Sequence, residues 1–80
     1  MQFDISIVGK TIRRIRKKRR LSQEALSGLA GIARTHLTMI ENGTKQANME
    51  TLFRISQALD LRLSELIRMA EDDADLYPND

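Results

Sequence analysis

Seven of the eight residues from 13 to 20 are cationic: Arg13, Arg14, Arg16, Lys17, Lys18, Arg19 and Arg20. Side chains of this kind at this density either hold a polyanion or form a solvated basic helix face. Neither role is a reaction, and the groups that could perform one lack companions. His36 is the only histidine, and there is no cysteine to serve as nucleophile, disulfide or metal thiolate. No glycine-rich loop is present to cradle a phosphate, and no ordered pair of carboxylates sets up acid–base chemistry. An enzyme is therefore not expected, nor a metal, a cofactor or a small-molecule ligand.

The charge is segregated along the chain. Residues 1–46 carry ten Lys/Arg against three Asp/Glu, and residues 47–80 carry three against eight, within a net charge of +2. Such a field favours an anionic surface on one side of the molecule. No apolar run approaches the roughly 18–20 residues that span a bilayer. The first helix, basic and amphipathic, could lie on an anionic membrane, but its apolar stripe has partner helices to bury against. Met1 to Val8 lacks the charged-then-apolar pattern of a signal peptide. The expected location is the cytoplasm, with no membrane contact.

The elements that position these cations are helices. Leu and Ile dominate the hydrophobic fraction of 41 %, with no Trp, one Tyr and two Phe, in a chain of 80 residues that has room for one small domain. Val8, Ile12 and Ile15 make one stripe of a first helix over Val8–Arg19. Ser22 caps a second, Gln23–Ala30, which Gly31 closes. A third spans Arg34–Asn42, with Ile32, Leu37 and Ile40 inward and Asn42-Gly43 as its stop. Asn48 caps a fourth, to Leu59, on the stripe Leu52, Ile55 and Leu59. Leu63 to Ala70 makes a fifth that lacks a good cap, and the acidic segment 71–80 is expected to fray as a tail to a domain over residues 1–70.

The second and third helices meet through Gly31, with Ala25, Ser27, Ala30 and Ala33 expected at a tight crossing, the logic of a helix-turn-helix. Leu21-Ser22-Gln23-Glu24-Ala25-Leu26, Ala30-Gly31-Ile32, Ile40-Glu41-Asn42-Gly43 and Glu50-Thr51-Leu52, in that order and register, resemble the phage repressor and Cro-like helix-turn-helix family. The resemblance covers about Gly9 to Arg68. Within the family, Arg34-Thr35-His36-Leu37 and the chain length are most similar to the controller proteins of restriction–modification systems. The resemblance implies an all-α, five-helix bundle of the lambda-repressor-like type, with the helix-turn-helix at the second and third helices. It implies a transcriptional regulator of double-stranded DNA whose recognition helix, about 34–42, enters the major groove.

Roles carry over from the resemblance residue by residue. Arg34, at the first turn of the recognition helix, would contact guanine O6 and N7, or else a phosphate. Thr35, Thr38 and Met39 are the other candidate base contacts, Met39 through an apolar contact only. Gln23, Lys17, Lys45 and Gln46 are candidate backbone contacts, and His36 is either a further one or free of DNA. Arg16 and Glu41 match a structural salt bridge between the first and third helices. Arg20 stands where the family has Gly, so the first helix is expected to end differently, and Ala47 replaces a common Pro. Leu29 occupies a usually polar, outward position.

One recognition helix reads only a few base pairs, so a homodimer on a two-fold operator is implied. Leu61, Leu63, Ile67, Met69 and Ala70 are its candidate interface, or else they close the core. A reading of a different class, an antitoxin-type or adaptor protein whose main partner is another protein, draws on Leu29 and the acidic segment.

Overall fold

The computed structural model describes residues 4–76, the side chain of Leu76 excepted. Five helices follow one another: α1 Ser6–Lys18, α2 Gln23–Ala30, α3 Arg34–Glu41, α4 Met49–Ala58 and α5 Leu63–Leu76, with no strand among the described residues. α1 packs on α5 and α3, α2 on α3 and α4, and α4 on α5. Ile12, Leu26, Leu37, Ile55 and Leu66 sit wholly enclosed where these helices meet.

The helix starts follow local chemistry. Ser22 Oγ accepts from the Ala25 N–H at 2.9 Å, and Asn48 Oδ1 accepts from the Thr51 N–H at 2.8 Å, each satisfying a first-turn donor. At α5 the Arg62 N–H donates to Glu65 Oε1 at 2.9 Å, half of a capping box. The fifth helix is therefore capped from its third residue, with Arg62 rather than Ser, Thr, Asp or Asn at the cap.

The first four helices end in one geometry. A left-handed residue closes each: Arg20 (φ 58°), Gly31 (φ 70°), Gly43 (φ 82°) and Asp60 (φ 58°). The next residue's N–H returns to the carbonyl five positions back, from Leu21 to Arg16, Ile32 to Ser27, Thr44 to Met39 and Leu61 to Ser56, at 2.8–3.1 Å. These are Schellman closures. The first helix thus ends in the usual way despite lacking glycine, and Arg20 takes the strained conformation. Leu21, Ile32 and Leu61, just past three of the turns, pack on the core and hold them shut.

α5 is longer than the apolar spacing implies. Residues 71–76, expected to fray, continue the helix, and residues 77–80 lie outside the described residues. Negative charge near a helix C-terminus is unfavourable, but Asp73 is buried and compensated. Thr11 Oγ1 donates to its Oδ2 at 2.7 Å, and Arg14 donates from Nε and Nη2 at 3.1–3.2 Å. The end of α5 is thereby tied to the middle of α1.

Of the small residues expected at the α2–α3 crossing, Ser27 and Ala30 are buried, whereas Ala25 and Ala33 face solvent. The closest approach is elsewhere. A Cβ on Gly9 would lie 1.9 Å from the Ile40 carbonyl oxygen, so α1 and α3 pack backbone to backbone there. Gly28, in contrast, faces open space.

Two alanine substitutions should therefore act in opposite directions. Gly28→Ala is expected to stabilise by about 1 kcal/mol, whereas Gly9→Ala should cost at least about 3 kcal/mol, the upper end for overpacking. Arg20→Gly should relieve about 1 kcal/mol of left-handed strain, raising the thermal midpoint by roughly 4–8 °C for a domain of this size. Thermal and urea unfolding of the three variants checks all of this.

Candidate nucleic-acid interface

A helix advances about 100° per residue, which sets Arg34, Thr35, Thr38, Met39 and Asn42 on the side of α3 opposite Leu37 and Ile40, with Glu41 at the edge nearest Arg34. The burial pattern agrees: Leu37, Ile40 and Glu41 are buried, and Arg34, Thr35 and Asn42 are exposed. Met39 is 40 % exposed, a large apolar side chain left outside the core. Thr38 is half-buried on this face, and His36 is half-buried on its flank.

Behind the face lies a buried polar network. Arg16, 7 % exposed, donates from Nε to Glu41 Oε2 at 2.7 Å and from Nη2 to Glu41 Oε1 at 3.0 Å; Glu41 is 3 % exposed. The remaining Arg16 Nη1 donates to the Leu21 carbonyl at 2.8 Å. Gln23 Nε2 donates to Glu41 Oε1 at 3.0 Å, and Thr38 Oγ1 lies 2.9 Å from Gln23 Oε1. No buried side-chain polar atom among the described residues lacks a partner. α1, α2 and α3 are thereby tied through one carboxylate.

Gln23 is a candidate contact to the DNA backbone. Its amide instead bonds inside the protein at both ends, leaving one N–H for a ligand. Arg13 stands out in the sequence only as one of the basic run, and Asn42 only as a helix stop. With Gln23, Thr38 and Glu41 they line a cleft of about 220 Å³ beside α3. Asn42 Oδ1 accepts from the Thr44 N–H at 3.0 Å and the Thr44 hydroxyl at 2.7 Å, so its amide nitrogen is left as a donor. Its spacing from Arg34 and Thr38, four residues at a time, was the available signal.

The cations from Lys10 to Arg20 divide into those with a partner inside the fold and those without. Arg14 pairs with Asp73, Arg16 with Glu41, and Arg19 Nη1 caps the Leu59 carbonyl. The side chains of Lys10, Arg13, Lys17, Lys18 and Arg20 have no protein partner among the described residues. Lys45 and Gln46 are exposed in the α3–α4 loop and line a second cleft, with Ser6, Val8 and Gly9, at the start of α1. Of the candidate dimer residues, Ala70 is 0 % exposed and closes the core, so it cannot meet a partner. Leu61, Leu63, Ile67 and Met69 are half-buried against the core.

Five helices with a short αα unit at α2–α3 and an exposed polar face on α3 define a DNA-binding helix-turn-helix domain. The helix-turn-helix family matches residues 12–66, and the chain belongs to that family. The control protein C.MunI of a Mycoplasma species is 37 % identical over 65 residues, 79 % of this chain and 88 % of that one. The structure of the restriction–modification controller protein C.AhdI from Aeromonas hydrophila superposes with a TM-score of 0.75 at 30 % identity, covering 79 % of this chain and 96 % of that one. The DNA-binding domain of the P22 C2 repressor gives 0.73 at 28 % identity, covering 84 % and 86 %. The chain spans 32 % of the length of another relative, the helix-turn-helix-type regulator y4dL of Sinorhizobium fredii.

Truncating either member of a buried ion pair strands its partner. Arg16→Met or Glu41→Leu alone should cost about 3–5 kcal/mol, while the double substitution should recover most of that loss. Urea unfolding of the three variants reads the difference.

Proposed function

We propose that this protein is a sequence-specific, DNA-binding transcriptional regulator that lays the outer face of α3 in the major groove. The observation that carries the reading is the exposed position of Arg34 at the first turn of α3, with Thr35 beside it and the core-facing side of the helix locked by Glu41. Helix-turn-helix proteins contact base edges with the N-terminal residues of the second helix of the motif. An arginine there reaches guanine O6 and N7 with two parallel bonds. Met39 supplies an apolar contact, such as to a thymine methyl. Lys45, Gln46, Lys17 and the free N–H of Gln23 hold phosphates on the flanks.

In this reading two copies bind a two-fold operator with half-sites about 10 base pairs apart. The half-buried Leu61, Leu63, Ile67 and Met69 are the surface they would share. The likeness to C.MunI and C.AhdI supports control of a restriction–modification system as the specific role. Leu29, 66 % exposed on α2, favours a second reading in which another protein docks there.

Enrichment of random duplexes by the protein tests the main reading, with a two-fold motif as the expected product. On the enriched site, Arg34→Ala should lose about 1–3 kcal/mol of discrimination while binding random DNA nearly as well. Lys45→Ala should weaken both and lower the slope of log K against log salt by about 1. Equal losses on specific and random duplexes for both variants would remove the role given to Arg34. Sedimentation with and without the site tests the dimer, and a strict monomer in both cases would exclude it.

A further inference from the structure

Thr38 is the residue of the α3 face whose hydrogen-bonding sense is set from inside the protein. Its hydroxyl has one proton, and two internal acceptors compete for it: Gln23 Oε1 at 2.9 Å and the Arg34 carbonyl at 3.0 Å. The Gln23 amide has no freedom to reverse this. Glu41, paired with Arg16, is a carboxylate that only accepts. It therefore takes the Gln23 amide nitrogen, at 3.0 Å, and turns the amide oxygen toward Thr38. Whichever acceptor holds the proton, what the hydroxyl presents outward is lone pairs.

We infer that Thr38 reads DNA as an obligate acceptor. It accepts from an exocyclic amino group, adenine N6 or cytosine N4, and does not donate to guanine O6 or N7 or to thymine O4. Those two amino groups are the donors on the major-groove edges of the bases. The chain Arg16–Glu41–Gln23–Thr38 thus does more than hold three helices together. It fixes the polarity of a contact at the surface and so fixes which strand's base Thr38 meets in its base pair. A polar contact of the wrong sense would set two acceptors against each other, which penalises a mismatched base as well as rewarding the right one. This inference rests on the major-groove reading given above.

The test is a single-atom scan of the site enriched by the wild-type protein. One position at a time, an amino group is removed (purine for adenine, pyrimidin-2-one for cytosine) or a carbonyl oxygen is removed (2-aminopurine for guanine, 5-methylpyrimidin-2-one for thymine). Each duplex is titrated with the wild type, Thr38→Val and Thr38→Ser, so that losses belonging to the duplex cancel between proteins. The expected result is one amino deletion that weakens the wild type and Thr38→Ser by about threefold to tenfold and leaves Thr38→Val unchanged. The inference is overturned if a carbonyl deletion behaves this way, or if no deletion separates Thr38→Val from the other two. Failure of the wild-type protein to enrich any sequence would overturn the major-groove reading itself.

Discussion

The Arg16–Glu41 pair is the constraint on which the rest of the molecule depends. Two opposite charges, 7 % and 3 % exposed, have been taken out of water, and that is tolerable only because all three Arg16 nitrogens and both Glu41 oxygens are hydrogen-bonded. Arg16 spends Nε and Nη2 on Glu41 and Nη1 on the Leu21 carbonyl, and Glu41 takes a further bond from Gln23. The last turn of α1, the turn into α2, the first residue of α2 and the last residue of α3 therefore converge on a single ion pair. A hydrophobic contact there would tolerate rotation and sliding of α3. A bidentate pair does not, and the outward face of α3 inherits that precision.

The same economy explains the dense cations of α1. They are not one uniform field. Three have partners in the fold: Arg16 pairs with buried Glu41, Arg14 pairs at the surface with Asp73, and Arg19 donates to a helix-end carbonyl. Lys10, Arg13 and Lys17 are exposed and have no partner among the described residues. The negative charge of the C-terminal third is likewise partly structural, since Asp73 is what pins α5 across α1. Segregation of charge along the sequence is thus the sum of exposed, unpaired cations and two ion-pair clamps between helices.

Helix order, the caps at Ser22 and Asn48, and the stops at Gly31 and Gly43 are legible from residue type and spacing, because each depends on neighbours within one turn. The exposure of Arg34, Thr35 and Met39 follows from the same 100° step. What the sequence hides depends on contacts between distant segments. Nothing near Gly9 announces that the Ile40 carbonyl will press on it, and nothing near Asp73 announces Thr11 or Arg14. Arg20 takes a left-handed conformation that its type disfavours, and Asp60 one that nothing in its type requires, because Leu21 and Leu61 must turn onto the core. At the site, the inward bonding of Gln23 and Thr38 and the cleft shared by Arg13 and Asn42 require α1, α2 and α3 to be assembled first. Ala70 and its neighbours on α5 are equally apolar in the sequence, and packing alone separates the enclosed one from the half-exposed ones.

The central claim is that the outer side of α3 reads base sequence while the loose cations only hold the duplex. Backbone amide and arginine side-chain resonances of labelled protein, titrated with its enriched duplex and with a scrambled one of equal length, test it most directly. The account requires shifts at Arg34, Thr35, Thr38 and Met39 with the enriched duplex alone, and shifts at Lys17 and the Lys45–Gln46 loop with both. Identical perturbations by the two duplexes, or perturbations confined to α1 and α5, would contradict it.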